Sequence, residues 1–323
     1  EQSGIYRVAV SNVAGAVTSA PAGLAVLRPP SQVSLIATGA LWRYHDKAQD
    51  LGTTWREPGY NDSGWSNGCA ELGFGDASQG RPECTVIASN RQWTTYFRHR
   101  FTAPPLAGFL SLQARLLRDD GAVVYLNGTE IFRDNMPAGA IAYSTPASAA
   151  CSDDGTLWLS TNVPLPLLLA GTNVVAVEVH QNALTSSDLS FNFELAGQAV
   201  TEAPKILAHP AGQTRLVGQA ATFQVEAASL LPMSFGWLFE GGPLAGQTGP
   251  TLALAGLSPN QAGVYCAVVS NAVGAVTSAP AALVVVDCPR LEARCGPGGG
   301  EFRLAFAGAG LGCTVLASTN LVD

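Results

Sequence analysis

Charge is scarce in this 323-residue chain: charged side chains make up 13% of it, and its only lysines are Lys47 and Lys205. That scarcity excludes a disordered polyelectrolyte, which combines high charge with low hydrophobicity; the apolar share here is 47%. Positive charge is short as well, since 17 basic against 24 acidic residues leave a net charge of −7. A protein that tracks the nucleic-acid backbone neutralises phosphates with Lys and Arg, so nucleic acid is excluded as the expected partner. Runs of about 18 apolar residues are missing, so no membrane insertion is expected of this segment. The seven cysteines form no C-x-x-C zinc pattern. A G-x-S-x-G elbow, an H-E-x-x-H pair, a P-loop and a dinucleotide fingerprint are absent too. The four histidines, His45, His99, His180 and His209, are scattered. These absences point away from an enzyme.

What is present is turn-forming and β-forming. There are 35 Gly and 20 Pro among many short Val/Thr/Ala runs, the pattern of an all-β chain with many turns. Alternation predicts strands over residues 94–101, 109–117, 122–126 and 173–180, with a closing strand over 188–195. Residues 164–170 alone look slightly helical, and Pro164 and Pro166 oppose it. Cys69 and Cys84 are spaced to close a loop; a bridge there would contribute about 3 kcal/mol. The other reading is that they are free, small hydrophobes. Cys288 and Cys295 flank a second short loop.

An internal repeat sets the domain map. Residues 2–26 and 261–285 match at a constant offset of 259, both carrying Val-Ser-Asn before the break and Gly-Ala-Val-Thr-Ser-Ala-Pro-Ala after it. Each copy reads as a hairpin about a Gly-containing turn. Ahead of the second copy lie Phe223, Trp237, Leu254 and Ala262-Gly263-Val264-Tyr265. This series resembles an immunoglobulin-like domain over residues 203–287, with Trp237 at the strand-C tryptophan and Tyr265 at the tyrosine corner. Val225 and Ala267 stand at the two disulfide positions, so the inter-sheet bridge of that family is missing. Cys266 is one residue out of phase and should face away from the core. By the same resemblance residues 1–28 are the last strands of a truncated immunoglobulin-like domain. Residues 288–323, with strand-like runs over 302–306 and 313–321 about a glycine-rich turn, read as the start of a further truncated β-domain.

The middle region differs in character and holds five of the six tryptophans: Trp42, Trp55, Trp65, Trp93 and Trp158. It carries Tyr60-Asn61-Asp62-Ser63-Gly64-Trp65, Leu72-Gly73-Phe74-Gly75-Asp76, Asp119-Asp120-Gly121 ahead of Tyr125-Leu126-Asn127-Gly128, and Gly171-Thr172-Asn173 ahead of Glu178-Val179-His180. In this order the motifs resemble the galactose-binding-like jelly-roll modules of large secreted bacterial proteins. The resemblance implies a jelly roll of about eight strands over residues 31–199, and the fold class is all-β, a set of multidomain β-sandwiches. Asn127-Gly128 supplies the positive φ values of a two-residue hairpin turn.

Candidate site residues follow from chemistry. A sugar platform needs an exposed ring beside hydrogen-bonding groups, and Trp55 and Trp65 lie in polar, turn-rich sequence. Glu178 and His180 fall on the face opposite Val175, Val177 and Val179, ahead of Ser186-Ser187-Asp188. Glu178, His180 and Asp188 would line a polar ligand site there, or else form a hydrogen-bonded pair that fixes a loop. The adjacent carboxylates of Asp119 and Asp120 repel unless something positive lies near. Calcium is one such partner; a solvated turn balanced by Arg118 or Arg133 is the other reading. Asp76, Glu71, Asp153 and Asp154 have simple turn or surface explanations.

The expected function is a non-catalytic carbohydrate-binding or adhesion segment of a secreted or cell-surface protein. A polysaccharide or glycoprotein glycan would be the partner, and the immunoglobulin-like domains would be spacers. The alternatives are a purely structural stalk, or an accessory region of an extracellular hydrolase.

Overall fold

The computed structural model describes residues 2–89 and 91–287, and the backbone of strands Arg290–Cys295 and Phe302–Ala307. The loop bounded by Cys288 and Cys295, and the expected strand over 313–321, lie outside the described residues or side chains. The chain is all-β, and it divides into two compact units, Pro29–Thr201 and the remainder on either side of it.

Within Pro29–Thr201 two sheets pack face to face. One runs Thr129–Asp134, Gly121–Leu126, Gly171–His180, Thr94–Ala103, Leu41–His45, Ser66–Cys69, antiparallel throughout. The other runs Leu159–Asn162, Phe109–Asp119, Leu189–Ala199, Leu72–Phe74, Thr85–Val86, with Ser31–Ile36 also paired to Leu189–Ala199. The core between them holds Trp42, Phe97, Val175, Val177 and Val179 from the first sheet and Leu116, Phe191, Phe193 and Leu195 from the second. Phe97 and Phe191 stack across it with ring centroids 4.1 Å apart.

The inner strands of the first sheet are buried on both faces over much of their length. Strand alternation sends Phe97 and Val177 inward and Tyr96, Val123, Tyr125 and Ala176 outward, yet these outward residues are buried too, beneath Trp55 and Trp65. The turn-rich segment between Leu41–His45 and Ser66–Cys69 folds back over the sheet as a third layer. This explains why Gly121–Leu126 is buried at every position. The Asn127-Gly128 turn has φ of 51° and 85° and joins Gly121–Leu126 to Thr129–Asp134, as the two-residue hairpin requires. Only a single 3-10 turn, Leu165–Leu167, forms in the proline-flanked stretch after residue 163.

Cys69 and Cys84 are joined in a disulfide across 15 residues, with Cα atoms 5.8 Å apart. It ties the strand edge Ser66–Cys69 to the loop before Thr85–Val86. Full reduction under non-denaturing conditions is expected to remove about 3 kcal/mol from the unfolding free energy of this unit. Denaturant titration with and without reductant measures it, and an unchanged midpoint would show that the loop is held by its packing alone.

In the other unit, residues 202–287 form a second sandwich. Its larger sheet runs Gln213–Leu216, Ala281–Val286, Gly263–Ser270, Ser234–Phe239, Gly242–Leu244, with Gln213–Leu216 parallel to Ala281–Val286. Phe223, Val225, Trp237, Leu252, Tyr265 and Ala267 fill its core. Trp237 Nε1 donates to the Gly249 carbonyl at 3.0 Å, and Tyr265 OH donates to the Gln261 carbonyl at 2.8 Å, the bond of a tyrosine corner. Val225 and Ala267 are buried where a bridge would stand, and Cys266 is a free, half-buried thiol.

The two repeat copies make the same local bonds. Tyr6 OH donates to Gln2 O as Tyr265 OH does to Gln261 O. Ser19 Oγ accepts from the Val8 amide as Ser278 Oγ does from Ala267. Asn12 Oδ1 accepts from Ala14 as Asn271 Oδ1 does from Val273. Burial differs: Tyr6 is 49% exposed and Tyr265 2%. Short-range hydrogen bonding therefore closes this hairpin whether or not a core covers it.

Candidate functional site

The expected aromatic platform does not form. Trp55 and Trp65 are 1% and 8% exposed. Trp55 lies against Tyr96 with ring centroids 4.6 Å apart and edge-on to Tyr125 at 6.0 Å; Trp65 packs beside Tyr60 and His45. Both rings are the apolar underside of the covering layer, so neither is open to a sugar.

Glu178 and His180 are also buried, because the same face of the sheet that alternation assigns to solvent is roofed. Tyr125 OH donates to Glu178 Oε1 at 2.7 Å. His180 Nε2 lies 3.4 Å from Glu178 Oε2. His180 Nδ1 is 2.7 Å from the Thr145 carbonyl, so it carries the proton and donates there. Thr94 Oγ1 donates to the Tyr143 carbonyl at 2.5 Å. His180 and Thr94 bond the 143–145 loop onto the sheet, while His180 Nε2 and Glu178 Oε2 make no hydrogen bond with each other. Burial, then the Glu178 carboxylate, push the Tyr125 phenol above its ordinary value.

Asp119 and Asp120 are buried and act differently from an exposed ligand pair. Asp120 Oδ1 accepts from the Cys151 amide at 2.6 Å and Oδ2 from the Asn182 amide at 2.8 Å, which clasps two loops together. Neither expected counter-cation reaches them: Arg118 bonds Asp134 and Asp153, and Arg133 bonds Glu130. Burial, then the charges of Asp120 and Asp188, push the Asp119 carboxyl up to about 8.

The acidic group nearest to a cation-ligating geometry is Asp76, Asp154 and Asp188, which offer carboxylate oxygens within 4.8 Å of one another. Asp188 was an expected site residue; Asp76 and Asp154 read from the sequence as turn residues. Asp76 is 1% exposed. Its Oδ2 accepts from Ser190 Oγ at 2.5 Å, and its Oδ1 lies 3.3 Å from Arg81 Nη2. The same nitrogen is 3.6 Å from Asp154 Oδ2, so one guanidinium spans two of the three carboxylates. The approach of the chains here depends on glycine. A Cβ at Gly73 would fall 1.8 Å from the Leu189 carbonyl, and one at Gly75, where φ is +108°, 2.7 Å from Asp188 Cβ. Burial and the Asp154, Asp76 and Asp120 charges raise the Asp188 carboxyl above its ordinary value.

A site that sequence inspection missed lies on the edge half of the first sheet. A groove of about 330 Å³ is lined by Leu41, Arg43, Asp62, Asn67, Arg98 and Arg100, and also by Trp42 and His99. Strand pairing brings Arg98 opposite Arg43 and Arg43 opposite Asn67. Like charges directly opposite one another destabilise a sheet, and Asp62 is inserted among them. Its carboxylate lies 2.9 Å from Arg98 Nε, 3.6 Å from Arg43 Nε and 3.8 Å from Arg100 Nε. Arg98 is fully buried and also donates to the carbonyls of Trp55 and Glu57. Arg100 donates to the carbonyls of Pro58 and Tyr60, both at 2.9 Å. Burial lowers the Arg98 guanidinium below its ordinary value, and the bond to Asp62 opposes that. His99 donates from Nδ1 to the Leu41 carbonyl at 2.8 Å, and burial disfavours its charged form.

No protein-family model matches the chain. Over 89 residues, 26% of its length, it is 37% identical to human cartilage intermediate layer protein 2, and it spans 8% of that protein's length. Among solved structures it is similar to titin M4, at 23% identity and a TM-score of 0.25, over 27% of this chain and 99% of that one. It is also similar to the beta-glucuronidase of Ruminococcus gnavus, at 14% identity and a TM-score of 0.35, over 83% of this chain and 47% of that one. What each of these proteins binds or cleaves is a property of that protein.

Proposed function

We propose that Pro29–Thr201 is a non-catalytic glycan-binding module of the galactose-binding-like jelly-roll kind. It belongs to a secreted or cell-surface adhesion segment of bacterial type, in which the immunoglobulin-like sandwich serves as a spacer. The observation that carries the reading is the groove. Its volume is at the lower end of the roughly 300–1,000 Å³ of small-molecule sites, and Arg43, Asn67 and Arg100 present planar donors at its rim. The Cys69–Cys84 disulfide supports an oxidising compartment.

Calcium belongs to the same proposal, moved from the Asp119–Asp120 pair to Asp76, Asp154 and Asp188. An all-oxygen donor set suits a hard cation, and the buried Asp76 carboxylate needs a paired charge. Arg81 supplies part of that charge, so calcium would have to displace its guanidinium from Asp76 and Asp154.

A purely structural spacer is the second reading. It is favoured by the consumption of Trp55, Trp65, Glu178 and His180 inside the fold. The deciding experiment presents the full chain to a panel of polysaccharides with calcium and with chelator. Saturable binding to at least one polysaccharide is expected, with a higher melting temperature in calcium that Asp188→Ala abolishes. Folded protein that binds nothing on a broad panel would replace the glycan reading with the spacer; a melting temperature indifferent to calcium would remove the ion.

A further inference from the structure

We infer that the groove between Arg43, Asn67 and Arg100 takes a negatively charged sugar, through its carboxylate or sulfate group. This deepens the glycan-binding reading and rests on it. Three guanidiniums, Arg43, Arg98 and Arg100, share one carboxylate, Asp62, so the groove carries two uncompensated positive charges. Asp62 is the one acid lining the groove among the described residues, and burial disfavours charge on His99. This local excess sits in a chain whose net charge is −7, so it is not the overflow of a basic surface.

The three cations are unequal. Arg98 is fully buried, and three of its N–H groups go to Asp62 and to the Trp55 and Glu57 carbonyls. Arg43 and Arg100 have side chains 41% and 43% exposed. Arg43 gives one hydrogen bond, to the Asp62 carbonyl, and Arg100 two, out of five N–H groups on each guanidinium. Both therefore hold a fixed position with donors left over. Arginine so placed suits the planar, two-oxygen face of a carboxylate or sulfate. Asn67, opposite Arg43 on the exposed edge strand, adds neutral donor and acceptor groups for ring hydroxyls. A groove of about 330 Å³ admits a small group and not a duplex, and the chain's acidity opposes a long polyphosphate.

The test measures affinity of the full chain for polygalacturonate, dextran sulfate and neutral dextran and galactan, at low and at 0.5 M salt. Binding to one or both anionic polymers, weakened by salt and absent with the neutral polymers, is expected. The carboxylate and sulfate arms tell which group is read. Arg43→Gln should weaken that binding about tenfold. Arg100→Gln also loosens the 58–60 loop, so Asn67→Asp is the control: it adds a negative charge on an exposed edge and removes no loop tie. It should weaken the anionic polymers by a similar factor with the melting temperature unchanged. Binding of a neutral polymer that ignores all three substitutions would overturn the charge inference and leave the glycan reading standing. Failure of every polymer to bind folded protein would end both. Equal, Arg43-dependent binding of a single-stranded oligonucleotide would overturn the sugar assignment.

Discussion

Asp62→Ala is expected to cost about 3–5 kcal/mol of the stability of the Pro29–Thr201 unit, the usual penalty for leaving a buried partner charge uncompensated. The Asp62 carboxylate is buried and lies 2.9 Å from a fully buried guanidinium, with two further arginines within 4 Å. Removing it does more than delete a contact. It leaves Arg43 and Arg98 facing each other across paired strands with nothing negative between them. The covering segment should loosen as well, since the Asp62 carboxylate ties that segment to Arg98 on the sheet beneath it. Chemical denaturation followed by tryptophan fluorescence reads the loss, because Trp55 and Trp65 belong to that segment. A change under about 1 kcal/mol would place the weight on the Arg98 bonds to the Trp55 and Glu57 carbonyls instead. Arg98→Met, which removes the buried cation and keeps much of the volume, would then be the more harmful substitution.

Trp55→Ala is expected to cost a comparable amount, about 3–5 kcal/mol. The ring fills the space between Tyr96, Tyr125, Val123 and Ala176 under the covering layer. An exposed sugar platform would behave in the opposite way, with affinity lost and the melting temperature kept. Trp55→Phe should recover part of the stability, since an aromatic edge would still reach Tyr96. If Trp55→Ala instead leaves unfolding untouched, the covering layer is held by the arginine bonds rather than by its apolar underside.

Why the layer escaped sequence inspection is a matter of period. The longer strands were legible because their strand-forming runs persist for five residues or more. Thr94–Ala103, Phe109–Asp119, Gly121–Leu126 and Gly171–His180 each contain the run expected of them, and Leu189–Ala199 starts one residue later than expected and runs four residues further. Strands of two to four residues, such as Leu72–Phe74 and Thr85–Val86, are too short to show any period. Alternation also assigns a side chain to a face without saying what covers it. Glu178 and His180 were placed on the correct face and in the wrong solvent, because residues 46–65 contain no periodic signal and still form a roof. Asp76 looked like a turn residue, and it is one, in a turn that Gly73 and Gly75 allow to press against Ser187 to Ser190. The arginine groove had no sequence signal at all. Arg43 and Arg98 are 55 positions apart and meet only through strand register.

The two sandwiches would answer tension differently. In Pro29–Thr201 the first strand, Ser31–Ile36, lies antiparallel to the last, Leu189–Ala199, and Ser31 is paired with Ala199. Its entry and exit are therefore side by side. A pull on the two ends peels those strands apart from that end, one hydrogen bond at a time. In residues 202–287 the early strand Gln213–Leu216 runs parallel to the final strand Ala281–Val286. The same pull slides these strands along each other, so that their bonds must yield together. Under load the unit that carries the groove would open first, while residues 202–287 hold.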